Sequence, residues 1–265
     1  MKFEKLFGLC LLLVCSFCWG VSEVSADESK VYIPCSDLRE SVIQYSQIEN
    51  NEIIENELPT IKQIQNVEGE IFAGCFGSLE GVQYAKNASK LNCSGFGVMD
   101  FRPITGMTNL EEFYSYAAGI DELPDAILDI RPFGKLKKIK SLQFGAADIQ
   151  DLTVLDELPN IETFYATNNE RIKLPTVYVD KKTKKFIMEH PIEYSSHFTV
   201  KTVESELTSE DVALSPYISN GAVIIDNLDE KVTEVEFWFK GTSENGSHFA
   251  GFYSNFNCWA PVKWY

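Results

Sequence analysis

The side chains able to do covalent or metal chemistry are few in this chain, and their spacing is poor for it. The histidines are His190, His197 and His248, all in the last third. Ser195-Ser196-His197 sets a hydroxyl beside an imidazole, but neighbouring side chains of a strand point to opposite faces, which does not suit a base-activated nucleophile. No H-E-x-x-H or G-x-S-x-G motif occurs, and Gly95-Phe96-Gly97 stops short of a phosphate-cradling glycine loop. Asp226, Asp229 and Glu230 offer oxygen ligands without the glycine and ligand spacing of a calcium loop. These residues point away from an enzyme, and no cofactor or bound metal is expected.

The chemistry that remains is recognition by aromatic side chains. Tyr114, Tyr116 and Tyr165, with Phe72, Asn92 and Gln143, occupy positions that a repeated strand turns outward. Aligned by repeat, one outward column reads Glu70, Asn92, Tyr114, Gln143 and Tyr165, and its neighbour reads Phe72, Ser94, Tyr116, Gly145 and Thr167. Clustered exposed aromatics are the residue type most enriched at interface hot spots. Tyrosine also has high strand propensity in its own right, and Phe72 could be covered by whatever precedes the first strand. The partner these positions imply is another protein.

Those columns presuppose elements at a fixed period. Ala88, Leu110, Ile139 and Ile161 are spaced by 22, 29 and 22 residues, and Leu91, Phe113, Leu142 and Phe164 repeat the same intervals three residues later. The odd interval holds seven extra residues within Asp121 to Asp129, after which Ile130, Phe133 and Leu136 resume the pattern of Phe101, Ile104 and Met107. Such a period is the leucine-rich repeat signal, one short strand per unit stacked in parallel. The loop Asp121 to Leu128 is either a second binding patch or a flap packing Leu123, Ile127 and Leu128 on the flank. The position that usually holds a turn-satisfying asparagine is Phe96, Ala118, Ala147 and Asn169. Only the last complies, so irregular stacking and lowered stability are expected.

Other segments flank the repeats. Lys2 and Lys5, an apolar run from Leu9 to Trp19 and Val24-Ser25-Ala26 read as a signal peptide over residues 1–26. Cys10 and the Cys15-Ser16-Phe17-Cys18 motif lie inside it. The remaining cysteines, Cys35, Cys75, Cys93 and Cys258, allow three complete pairings that sequence does not resolve, although Cys93 falls on an inward position suited to a small buried hydrophobe. Ser36-Asp37-Leu38-Arg39-Glu40 begins an N-capped helix, and Leu58 to Ile64 a second short amphipathic stretch. Residues 27–66 therefore read as a helical cap for the repeats at 67–174. From Thr176 the apolar period becomes two, at Val177/Val179, Phe198/Val200, Val223/Ile225, Val235/Phe237/Phe239 and Phe249/Gly251/Tyr253. Residues 175–265 fit an all-β immunoglobulin-like sandwich. A net charge of −16 disfavours nucleic acid or an anionic membrane surface, no segment suits membrane insertion of the mature chain, and a monomer is expected.

Together these segments resemble the internalins, secreted or surface proteins of Gram-positive bacteria. The resemblance is carried by Ile33-Pro34 with Asp37-Leu38-Arg39-Glu40, by Ser78-Leu79-Glu80-Gly81-Val82-Gln83-Tyr84-Ala85-Lys86-Asn87, by Asp129-Ile130-Arg131-Pro132-Phe133, and in the last segment by Ile218-Ser219-Asn220-Gly221, Val235-Glu236-Phe237-Trp238-Phe239 and Phe249-Ala250-Gly251. It implies a helical cap, a short parallel-β solenoid and an immunoglobulin-like domain, with a protein partner, a host protein foremost, on the concave face. A structural or accessory role at the bacterial surface, bound to a wall component, is the alternative. No Leu-Pro-x-Thr-Gly sorting motif or hydrophobic tail is seen before Trp264-Tyr265, so by resemblance to the shorter family members a secreted protein, released from the cell or loosely held, is expected.

Overall fold

The computed structural model describes residues 28–50, 58–74, 78–94, 100–116, 127–167, 171–205, 212–244, 246 and 250–265. The proposed signal peptide, Cys75, most of the inserted loop, the turn positions Phe96, Ala118 and Asn169, and His248 and Phe249 lie outside the described residues.

Among the described residues two helices precede the first strand, α1 (Ser36–Asn50) and α2 (Ile61–Gln65). Thr60 caps α2 with a capping box: Gln63 N–H donates to Thr60 Oγ1 at 3.2 Å and Thr60 N–H to Gln63 Oε1 at 2.8 Å. Leu38 and Val42 of α1 are fully buried. The Phe72 N–H of the first strand donates to Ser41 Oγ at 3.1 Å, and Ser46 Oγ donates to the Gln63 carbonyl at 3.0 Å. The helices are thereby tied to each other and to the first edge of the sheet.

Five strands then stack in parallel: β1 (Glu70–Ala73), β2 (Lys90–Ser94), β3 (Glu112–Tyr116), β4 (Ser141–Gly145) and β5 (Thr163–Ala166). Their inward residues Ile71, Leu91, Phe113, Leu142 and Phe164 form one aligned column, all buried. Behind them, 3₁₀ turns at Arg102–Gly106, Arg131–Lys135 and Thr153–Glu157 form the opposite wall. Each begins two residues after an aspartate whose carboxylate accepts the backbone N–H of Arg102, Arg131 or Thr153 at 2.9 to 3.0 Å. Between the walls, Phe101, Phe113, Phe133 and Phe144 pack with ring centroids 4.8 to 5.9 Å apart. The seven-residue insertion is absorbed without breaking this core, since β3 and β4 pair in register from Glu112↔Ser141 to Tyr116↔Gly145.

Two expectations are corrected. The register of the described strands is continuous from β2 to β5 despite the substituted asparagines, and of those turn positions only Ala147 lies among the described residues. At Ala147 the turn is served by Thr167: the Ala147 N–H donates to the Thr167 carbonyl at 2.6 Å, and the Ala146 N–H to Thr167 Oγ1 at 3.3 Å. At the other end of the strands a polar ladder joins the units, with Asn109 Nδ2 donating to Asn87 Oδ1 at 3.2 Å and Lys138 Nζ donating to Asn109 Oδ1 at 2.6 Å. Secondly, the first unit is two residues short. Phe72 pairs with Asn92 and Glu70 with Lys90, so Phe72 belongs to the Asn92–Tyr114 column and Glu70 leaves it.

The last segment continues the same sheet. A long strand, β13 (Phe252–Trp264), pairs in parallel with β5 through Phe252↔Phe164, Tyr253↔Tyr165 and Ser254↔Ala166, and antiparallel with β12 (Glu234–Thr242). β12 in turn pairs with β9 (Val200–Glu204), while the short strands β6 (Ile172–Lys173) and β7 (Val177–Val179) also run along β13. A second sheet of β8 (Phe186–Glu189), β11 (Ala222–Ile225) and β10 (Tyr217–Ser219) packs against the first through Phe186 and Phe237, whose centroids are 5.7 Å apart. β10 and β11 turn at Asn220-Gly221, both with positive φ, which glycine and asparagine tolerate and a tight hairpin requires. The expected strand at Phe198 begins only at Val200; Phe198 is a buried ring before it that joins Phe164 and Phe252 at 6.0 and 5.8 Å. Cys93 and Cys258 are buried thiols, Cys93 on the inward position expected of it.

Candidate protein-binding face

Alternation along each strand fixes which residues face solvent. The resulting outward column runs Phe72, Asn92, Tyr114, Gln143, Tyr165 and then Tyr253 of β13. Beside it lie Tyr116 and Gly145, and on the other side Glu70, Lys90, Glu112, Ser141 and Thr163. All six residues singled out from the sequence are therefore on one face. Phe72, Tyr114 and Tyr116 are 46%, 38% and 47% exposed, so Phe72 is not covered by the helices.

The tyrosines converge. The Tyr116 ring leans across β4 onto Gly145, where a β-carbon would overlap it. Tyr165 stacks on Tyr253 with centroids 5.5 Å apart and planes 22° apart, and Lys240 Nζ lies 5.5 Å from the Tyr253 centroid. Partial burial holds the Tyr165 phenol above its ordinary pKa, a hydrogen bond with Thr167 offsets part of this, and the Tyr253, Tyr114 and Tyr116 hydroxyls add to the rise. Four phenols thus share one patch spanning β3 to β13. Tyr253 and Lys240 were missed in the sequence. Tyr253 sits in the alternation of its segment, but nothing in the sequence signals that this strand docks on β5.

At the start of the column, Asn92 is a short residue between Phe72 and Tyr114. A shallow basin of about 200 Å³ opens here, bordered by Glu70, Lys90, Glu112, Tyr114 and Gln143. Lys90 Nζ pairs with Glu112 at 3.0 Å.

The groups considered for chemistry are otherwise engaged. Ser195 and His197 sit in a turn rather than a strand, which corrects the expected geometry. Ser195 Oγ is 3.4 Å from His197 Nδ1, and Asp156 Oδ1 is 3.5 Å from the same nitrogen. A base–nucleophile relay uses both ring nitrogens, and Ser195 is fully buried. Asp156 instead accepts the Ser196 N–H at 3.0 Å and Ser196 Oγ at 2.7 Å, clamping the last repeat to the segment that follows. Asp226 accepts from Tyr217 Oη at 2.9 Å and Glu230 pairs with Lys184 at 3.0 Å; among the described residues no group of His, Cys, Asp and Glu is placed to hold a metal. Of the inserted loop, Ile127 is exposed and Leu128 buried. Among the described residues no helix is long and apolar enough to cross a membrane.

No protein-family model and no curated relative matches the sequence. Among solved structures, the chain is similar to the functional domain of InlJ from Listeria monocytogenes, at 16% identity and a TM-score of 0.37 over 77% of this chain and 50% of that one. It is also similar to internalin InlF of that species, at 18% identity and 0.34 over 54% and 45%, and to an internalin-like protein of the same species, at 10% identity and 0.31 over 89% and 100%. The chain spans half or less of the first two. The stack of parallel-strand repeats is defined by the strand register described above, independently of these distant overlaps.

Proposed function

We propose that this is a secreted, internalin-like leucine-rich repeat protein without enzymatic activity that binds a protein partner, of the host, through the outward face of its strands. In this reading α1 and α2 cap the repeats, and the two-sheet segment is an immunoglobulin-like domain that extends the binding face. The observation that carries it is the patch of Tyr114, Tyr116, Tyr165 and Tyr253 on one continuous sheet, with Gln143, Asn92 and Phe72 along the same column. Tyrosine supplies a large contact area at low entropic cost, and such anchors are typically worth about 2 kcal/mol or more when truncated.

The test is a paired capture from host-cell extract and from bacterial wall fractions, with wild type and a Tyr114→Ala/Tyr165→Ala variant. One host protein enriched by wild type and lost with the variant is the expected result. Enrichment of a wall component instead, or capture indifferent to both tyrosines, overturns it.

A further inference from the structure

The smaller sheet of the last segment ends on an open edge. β8 is its outer strand, bonded to β11 on one side only. The ladder fixes which of its backbone groups are left over. The His190 N–H donates to the Gly221 carbonyl at 2.9 Å, and that pair continues the register through Met188↔Val223 and Phe186↔Ile225. Bonded and unbonded pairs alternate in an antiparallel ladder, so the N–H and C=O groups of Ile187 and Glu189 point away from β11. Opposite them runs β7, which is bonded to β13 instead. The Tyr265 N–H donates to the Val179 carbonyl at 3.1 Å, so Val177 and Val179 serve that ladder and the backbone groups of Tyr178 turn toward β8. Between β7 and β8 lies a cleft of about 640 Å³, walled by Leu174, Tyr178, Ile187, Met188, Glu189 and Glu193. Tyr178 and Ile187 are 62% and 53% exposed, so the chain leaves this edge uncovered. The remaining edges are engaged: β1 bonds to Ser41 of α1, and β9 and β10 lie side by side.

Main-chain donors and acceptors in a row along a strand edge are matched by another extended strand, and side chains on either side set which one. The cleft is bordered by the exposed carboxylates of Glu189 and Glu193 and by no lysine or arginine. Its one imidazole, His190, is held by its own turn, Nδ1 accepting the Ile192 N–H at 3.1 Å. A second copy paired along β8 would bring these carboxylates toward their own counterparts in a chain of net charge −16, whereas a basic strand meets them favourably. We propose that the edge of β8 receives an extended, basic segment of a partner protein as an added strand. One of its basic residues is set against Glu189 and Glu193, and an apolar one against Leu174 and Met188. This edge belongs to a different sheet from the tyrosines, and the assignment does not depend on theirs.

The experiment follows amide hydrogen exchange in the ¹⁵N-labelled protein, with the peptide Ac-Lys-Val-Lys-Val-Lys-NH2 as the probe. Without peptide, the Ile187 and Glu189 amides should exchange at least about tenfold faster than those of Phe186 and Met188, which are bonded to β11. Saturating peptide should slow the first two by at least about tenfold and leave the others unchanged. Binding should weaken at least about tenfold for the same peptide N-methylated at every residue, for Ac-Glu-Val-Glu-Val-Glu-NH2, and in Glu189→Gln. Ile187→Pro removes one outward N–H at a place where an edge strand tolerates proline, and should lose the response; an otherwise unchanged amide spectrum shows that each variant is folded. An N-methylated or acidic peptide that binds as well as the probe overturns the proposal, as does no protection in tens of millimolar probe. Ile187 and Glu189 amides already protected without peptide also overturn it: protection that grows with protein concentration places a second copy on the edge, and protection that does not shows the edge to be closed.

Discussion

The two long sides of the repeat stack are built by different rules. On the turn side, polar groups find partners within the chain: Asp100 with Arg102, Asp129 with Arg131, Asn87 with Asn109, Asn109 with Lys138. On the strand side, large aromatic rings stand in solvent and Asn92 Oδ1 is left unmatched. The strand side has such pairs too, between Lys90 and Glu112 and between Thr163 and Ser141, but it alone presents a row of large rings to solvent. Residues closed on themselves serve stability, whereas the exposed rings are the groups that the proposed function gives to a partner.

Substitutions can break that contrast, and the core between the two sides sets the scale. Phe144 is fully buried and in ring contact with Phe101, Phe113, Phe133 and Phe164, so Phe144→Ala should cost about 3–5 kcal/mol in denaturant unfolding. The Tyr114→Ala/Tyr165→Ala pair should cost about 2 kcal/mol or more in partner affinity by titration calorimetry, with an unfolding midpoint far less disturbed than that of Phe144→Ala. A comparable loss of stability would mean that the tyrosines are structural. Asn109→Ala, on the turn side, should do the reverse: about 1 kcal/mol less stability and unchanged affinity. The smallest effect is in acid. The Arg102 guanidinium holds the exposed Asp100 carboxyl at about 2, below its ordinary 3.8. Its contribution is whole above pH 3.8 and disappears as the pH falls through about 2. The wild-type unfolding midpoint should therefore fall more between pH 5 and pH 2 than that of Asp100→Asn.

Much of this was legible in the sequence, for identifiable reasons. The inward column from Leu91 to Phe164 is periodic because every repeat buries the same position, and the outward Tyr114, Tyr116 and Tyr165 follow from strand alternation. The first repeat was misaligned because Ile71 and Phe72 are both apolar, and a two-residue deletion preserves alternation while moving each residue to the next column. The Asn87–Asn109 ladder keeps the 22-residue interval, but it lies before each strand rather than at the usual asparagine position after it. Tyr253 and Lys240 lay beyond reach because the pairing of β13 with β5 joins segments about ninety positions apart, which no local pattern encodes.

That distant pairing also sets an order of assembly. The repeats make contacts one unit apart, which form quickly, while β5 must wait for a strand separated from it by a long loop-closure step. Until β13 arrives, the row of main-chain groups along β5 is an open edge, able to template the same edge of another molecule. During folding the protein is therefore most prone to self-association at its fifth strand. A chain cut before residue 250 should show this as concentration-dependent aggregation that the full-length protein escapes.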